Sequence, residues 1–286
     1  MIRRIRIVSP SGVIDPSLID QASARLQEWG FEVSEGQHAR DRWGRFAGTD
    51  EDRFADLREA LQDPSVDLVL CARGGYGLQR IIDKVPPITK PLLGFSDITA
   101  LHQAAGLTHQ PTLHGVMCKH IATLPQEGEV LQALRKALRG ETLTYTFPAH
   151  SCNHLGETTA PIVGGNLSVL YGLQGTKFQI QPGAILLIED IGERLYHIER
   201  MLLGLRMSGV LERVSGVLVG QFTDCEDDPS LPDAQTAHAV VAKVLDGYSV
   251  PVAFDVPIGH VERNLPVWLN KPAHLSVTQQ GVSLII

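Results

Sequence analysis

Two short apolar runs that end abruptly at glycine constrain the fold of this chain more than any other feature. They are VDLVLCARGGYG at residues 66–77 and ITKPLLGFSD at residues 88–97. A strand that is apolar at successive positions must be covered on both faces, which is the condition of a parallel sheet with helices on either side. In such open α/β sheets ligands sit outside the carboxyl ends of the strands. Arg73-Gly74-Gly75 and Ser96 are therefore expected to share one rim.

The neighbouring pattern agrees. Ile5 to Val8 reads as a strand, and Asp15-Pro16 opens a helix that runs to about Trp29 and stops at Gly30. Phe31 to Val33 reads as a second strand. The segment DEDRFADLREALQDP puts Phe54, Leu57 and Leu61 on one helical face and ends at Pro64. Arg4 and Arg6, alternating with apolar residues, read as the solvent face of an edge strand.

From about Tyr145 to Pro161 the pattern is lost, and residues 146–161 are taken as a linker between a domain spanning 1–145 and a second spanning 162–286. Beyond it GAILLIEDIGE is a strand plus loop, YHIERMLLGLRMSG a helix, SGVLVGQFTD a strand, TAHAVVAKVLDG a helix and VPVAFDVPIGH a strand plus loop. LPVWLN and HLSVTQQGVSLII read as a terminal β-hairpin with Gly281 near its turn. The fold class expected is α/β: an N-terminal parallel, Rossmann-like domain followed by a C-terminal mixed α/β domain.

Composition excludes several classes of function. A length of 286 residues leaves room for two cores, and a net charge of -7 argues against a nucleic-acid backbone as partner. No apolar run approaches the roughly 18 residues of a membrane span. The opening MIRRIRIVSPSG interrupts its short apolar run with arginines where a signal peptide needs an unbroken one, so a cytoplasmic address is expected. Cys71, Cys118, Cys152 and Cys225 lie far apart with no CxxC pair and no His or Cys partner at metal-ligand spacing, so reduced and buried thiols are expected.

The residues able to carry chemistry each have a plain alternative. Ser96, after Gly94, is either a helix N-cap or a nucleophile exposed on a strand-to-helix elbow. The glycines of Arg73-Gly74-Gly75-Tyr76-Gly77 serve a simple turn or an anion site. Nucleotide binding there lacks the Lys-Ser/Thr of a P-loop and the Rossmann glycine spacing. Glu189-Asp190 falls at a strand end, where carboxylates cap helices or do acid–base work. His260, behind Pro257 and Gly259, is a candidate base. Asn166, after Gly164-Gly165, caps a helix or presents its amide to a ligand. His102 and His114 are either site walls or core histidines.

Taken together, RGGYG, GFSD, HGVM, GGNLS, LLIEDIGE followed by IERML, and PIGH resemble, in this order, the murein-tetrapeptide LD-carboxypeptidases and their relatives that confer immunity to microcin C. The resemblance runs from residue 9 to residue 270. One departure is Val116, where the family often has proline. The resemblance implies a catalytic Ser96, Glu189 and His260, with backbone N–H groups of Gly75 and Asp97 binding an oxyanion. It also implies an active site between the two domains, a murein tetrapeptide substrate and a homodimer.

On that basis Ser96 attacks the carbonyl preceding a terminal D-alanine, His260 moves the proton, and Glu189 orients the imidazole. A free terminal carboxylate calls for Arg73 or Asn166. Two rivals remain. One is a non-catalytic protein binding a small anion, with Ser96 as a plain cap. The other is a peptidyl-nucleotide hydrolase, which needs a stacking aromatic, and no motif places Trp29, Trp43 or Trp268 at the site.

Overall fold

The structure, a computed structural model, describes residues 2–227, 230 and 235–286. It divides into two compact units, the first made of Met1–Thr142 with Leu265–Asn270 and the second of Leu143–Asn264 with Lys271–Ile286.

The first unit is built on a six-stranded sheet. Strands β1 (Arg4–Val8), β2 (Glu32–Glu35), β3 (Leu68–Cys71), β4 (Leu92–Gly94) and β5 (Thr112–His114) run parallel, and Val267–Leu269 adds an antiparallel edge beside β5. Every residue of β3 and β4 is buried, as the unbroken apolar runs require. Helices α1 (Pro16–Glu28), α2 (Asp50–Gln62), α3 (Thr99–Gly106), α4 (Cys118–Thr123) and α5 (Glu129–Leu138) complete the unit.

Local chemistry fixes the helix starts. Asp15 accepts from the Ser17 N–H ahead of Pro16, and Thr49 with Asp52 forms a reciprocal capping box at α2. The buried face of α2 differs from the apolar expectation: Arg53, Asp56, Leu57, Ala60 and Leu61 point inward and Phe54 is half-buried. Strand β1 is not an edge either, since β2 and β3 flank it. Arg6 instead reaches α2, donating to Glu59 at 2.8 Å and Asp63 at 2.9 Å.

The second unit has a seven-stranded sheet. Its strands are β6 (Thr144–Phe147), β7 (Gly156–Asn166), β8 (Ile185–Ile191), β9 (Gly216–Thr223), β10 (Val252–Ala253), β12 (Pro272–Val277) and β13 (Val282–Ile285), with Val267–Leu269 counted as β11 in the first sheet. Strands β7 to β10 are parallel, and β12, β13 and β6 continue the sheet antiparallel. Helices α6 (Leu167–Gly172), α7 (Leu195–Met207) and α8 (Ala237–Leu245) bury Leu170, Ile198, Leu202 and Val241 in its core. The mixed architecture is the one expected.

The expected linker is corrected. Residues 146–161 include the end of β6 and the first half of β7, both within the second unit. Gly156 to Pro161 pair antiparallel with β12, where alternate residues face solvent, and Ile162 to Asn166 pair parallel with β8 in the core. The polar half of a strand that changes partner and environment midway looks like loop in sequence. LPVWLN is likewise no part of the terminal hairpin, which β12 and β13 form alone. Among the described residues, no helix is long and apolar enough to cross a membrane.

Candidate active site

In the first unit, chain emerging from the carboxyl ends of β1, β3 and β4 forms one locked cluster around Ser96. Ser96 has φ 66°, a left-handed conformation that costs an L-residue about 1–2 kcal/mol. It opens a 3-10 turn, Ser96–Ile98, that runs into α3, and neither start has a side-chain cap. The capping alternative for Ser96 therefore has no hydrogen bond behind it. A strained serine on a strand-turn-helix junction is the geometry of a nucleophile elbow. Gly94 is required there, because a β-carbon would stand 2.9 Å from Ile98 Cγ1.

Gly74 packs directly on this turn, where a β-carbon would lie 2.9 Å from Ser96 Cβ and 3.2 Å from Ser96 Oγ. Its carbonyl accepts from Gly12 N at 3.0 Å, and Gly75 and Gly77 both take positive φ. Arg73 donates through Nη1 to the Val13 carbonyl at 2.6 Å and stays on the exposed side.

Asp97 contributes a side chain as well as a backbone position. Its buried Oδ2 accepts from Ser11 Oγ at 2.6 Å and from Leu78 N at 2.9 Å. Burial pushes this carboxyl above its ordinary pKa, and the two hydrogen bonds oppose the shift. Arg53, itself buried, closes the cluster by donating to the Pro10 carbonyl at 2.5 Å and the Gly77 carbonyl at 3.2 Å. Sequence reasoning missed Ser11 and Arg53, since an arginine on an amphipathic helix reads as solvent-facing.

In the second unit, His260 Nδ1 meets Glu189 Oε2 at 2.7 Å, and the Glu189 side chain is fully buried. Among the described residues, Glu189 Oε1 has no hydrogen-bond partner. Glycines make this approach possible: a β-carbon on Gly259, which has φ 130°, would lie 2.9 Å from Glu189 Oε2, and one on Gly220 would lie 2.4 Å from the Ile258 carbonyl. The His260 carbonyl accepts from Thr223 Oγ1 at 2.9 Å, and buried Asn264 accepts from Gly259 N at 2.9 Å. The loop holding His260 is thus fastened on both sides.

Asn166 does cap α6, its carbonyl oxygen accepting from Val169 N at 3.1 Å, while its amide donates to Asp190 Oδ1 at 2.8 Å. Asp190 also accepts from Ser168 N and Ile191 N, each at 2.9 Å. Burial, reinforced by the neighbouring Glu189, pushes the Asp190 pKa up to about 6 against those hydrogen bonds. His102 and His114 are buried in the first unit, and His102 bonds Thr112 Oγ1 at 2.8 Å and the Gly94 carbonyl at 2.9 Å, the pattern of a core histidine.

Two other groups are notable. His38, Asp41 and Asp52 have ligand atoms within 4.8 Å of one another, but Asp52 is engaged in capping α2 and His38 Nδ1 is held by Asp41 at 2.7 Å. Trp43, which no motif placed, stacks on Phe46 at 5.9 Å, and Phe46 in turn lies 5.9 Å from Tyr76 of the RGGYG turn.

Comparisons with known proteins bear on the family and the fold. Residues 5–115 match the LD-carboxypeptidase N-terminal domain and residues 159–275 the LD-carboxypeptidase C-terminal domain. The chain is 34% identical to the "probable murein peptide carboxypeptidase" of Bacillus subtilis, over 96% of this chain and 89% of that protein. The crystal structure of muramoyltetrapeptide carboxypeptidase from Oxalobacter formigenes matches with TM-score 0.89 at 27% identity, over 99% of this chain and 98% of that one. The wild-type microcin C7 self immunity protein matches with TM-score 0.85 over 99% of this chain and 96% of that one, and at 20% identity the likeness is one of fold. The chain belongs to the LD-carboxypeptidase family of peptidases.

Proposed function

We propose that this protein is a serine-type LD-carboxypeptidase that removes the terminal D-alanine from a murein tetrapeptide. The observation that carries the reading is the buried Glu189 carboxylate 2.7 Å from His260 Nδ1, which leaves Nε2 to act as base. Ser96 Oγ attacks the carbonyl before the D-alanine, and His260 takes the hydroxyl proton. Backbone N–H groups of Gly75 and Asp97 stabilise the oxyanion. Collapse breaks the amide bond, the leaving amine takes the proton from His260, and water then hydrolyses the acyl-serine by the same route. Each oxyanion donor is worth about 10²–10³-fold in rate.

Arg73 and Asn166 are assigned to the substrate's terminal carboxylate, Arg73 through its guanidinium and Asn166 in competition with the bond it gives Asp190. A cytoplasmic homodimer using neither metal nor cofactor belongs to the same reading. A non-catalytic anion-binding role is less well supported, because Ser96 caps no helix.

The test is release of D-alanine from a murein tetrapeptide, followed by mass spectrometry, for wild type and Ser96→Ala. Loss of one alanine with wild type alone is the expected result. Wild-type turnover by a folded Ser96→Ala would overturn the serine assignment. No release by either would turn attention to peptidyl-nucleotides, the second reading.

A further inference from the structure

The hairpin before α2 displays an aromatic surface that neither the fold nor the proposed chemistry uses. Trp43 and Phe46 close a two-residue turn, exchanging backbone hydrogen bonds of 2.9 and 3.0 Å. Its base is fastened to the loop after β1 by Val13 N to the Arg45 carbonyl at 3.0 Å and by Ala47 N to the Ser11 carbonyl at 3.2 Å. This rigid mount holds Trp43 at 52% exposure and, beyond Phe46, Tyr76 at 50%. Leaving two large aromatic rings in water forgoes burial that a purely structural hairpin would be expected to use.

The position of this shelf gives it a use. Gly74 packs on Ser96, a β-carbon on Gly77 would lie 2.8 Å from Phe46 Cδ1, and Phe46 stacks on Trp43. The path from the nucleophile turn to Trp43 is therefore continuous within one unit. Three extended peptide residues cover about 10 Å, which is the stretch of tetrapeptide between the scissile carbonyl and the group on its amino end. In a muramoyl peptide that group is a sugar.

The chemistry of the shelf suits a neutral ring. Trp43 stacks on Phe46 with ring centroids 5.9 Å apart and still keeps about half of its surface exposed, which suits stacking against the C–H face of a pyranose. The Arg53 and Arg80 guanidiniums lie 5.0 and 5.4 Å from the Phe46 centroid, but both are held by Asp50. Exposed Arg42, just before the turn, and Arg45, within it, are donors for hydroxyl and acetamide oxygens.

Resting on the proposed function, we infer that Trp43, with Tyr76, forms a saccharide subsite that binds the N-acetylmuramoyl end of the substrate. The experiment compares kcat/KM for the muramoyl-tetrapeptide and for the same tetrapeptide without sugar, using wild type, Trp43→Ala and Trp43→Phe. Wild type should prefer the muramoyl peptide. Trp43→Ala should lose about fivefold to tenfold on it while its rate on the bare peptide stays unchanged, and Trp43→Phe should recover part of the loss.

Equal effects on both substrates, or none on either, would overturn the subsite while leaving the carboxypeptidase reading intact. So would a change in sedimentation of Trp43→Ala, which would assign the shelf to a second copy of the chain. The subsite would also be overturned if Trp43→Ala lost turnover on a peptidyl-nucleotide instead. D-alanine release from neither peptide by wild type would overturn the underlying function itself.

Discussion

His260 Nδ1 and Glu189 Oε2 stand 2.7 Å apart, with the Glu189 side chain sealed from solvent. A buried carboxylate is costly unless it is paired, and here Oε2 is held by the imidazole. The arrangement makes sense if the carboxylate fixes the ring tautomer and stabilises the imidazolium formed during reaction. Glu189→Gln keeps the shape and removes the charge, so D-alanine release should fall about 10⁴-fold, as it does when the acid of a Ser-His-Asp triad is neutralised. Loss of less than tenfold, with the circular dichroism unchanged, would demote Glu189 to a structural residue.

Gly259 tests the same pair from the backbone. A methyl group there would lie 2.9 Å from Glu189 Oε2 on a residue with φ 130°, where an L side chain is strained in any case. Gly259→Ala should therefore displace the loop carrying His260 and lower kcat by at least tenfold. A thermal melt separates this from unfolding: the sheet cores do not depend on the loop, so a cooperative transition should remain.

Much of this was legible in sequence, and the exceptions share physical causes. The runs at 66–77 and 88–97 gave their strands because burial on both faces leaves no polar position, and the glycines after them marked where backbone must approach Ser96 closely. The strand from Gly156 was not legible, because half of it lies in an antiparallel layer with one wet face. Arg53 and Ser11 were missed because they bond carbonyl groups and a carboxylate brought together only by the fold. Asp190 was visible as half of an acidic pair, but its three donors come from residues whose arrangement depends on α6 docking beside β8.

The φ of 66° at Ser96 carries a stability cost that glycine would not. Ser96→Gly should raise stability by about 1 kcal/mol, from the left-handed penalty of an L-residue less glycine's extra unfolded-state entropy, while abolishing turnover. Chemical denaturation of Ser96→Gly beside Ser96→Ala reads this directly, because both lack the hydroxyl and only one relieves the strain. An alanine variant as stable as the glycine variant would mean that the backbone relaxes freely and no strain is held at the elbow.

Ser11 and Asp97 connect three loops through one oxygen. Removing the Ser11 hydroxyl leaves the buried Asp97 carboxylate with one donor fewer, a loss of about 1–3 kcal/mol for a buried charged acceptor. Ser11→Ala should lower the urea midpoint accordingly. Because Leu78 N shares that oxygen and follows the RGGYG turn, kcat should fall more than KM rises. A KM effect alone would place Ser11 in substrate binding rather than in holding the turn.

Asp190 sets a pH dependence whose sign follows from burial. Its folded pKa of about 6 lies above the ordinary 3.8, so between those values the folded protein holds a proton that the unfolded chain has released. Stability from this group is greatest below pH 4, falls as pH rises towards 6 by at most about 1.4 kcal/mol per unit, and is level above that. Asp190→Asn should flatten that slope in denaturation midpoints measured from pH 4 to 7. At pH 4, where wild-type Asp190 holds its proton, the variant should be the less stable of the two, since one of the backbone donors at Ser168 and Ile191 would then face an amide N–H. If the wild-type slope persists in Asp190→Asn, another group titrates in that window and the carboxylate of Asp190 is already ionised throughout.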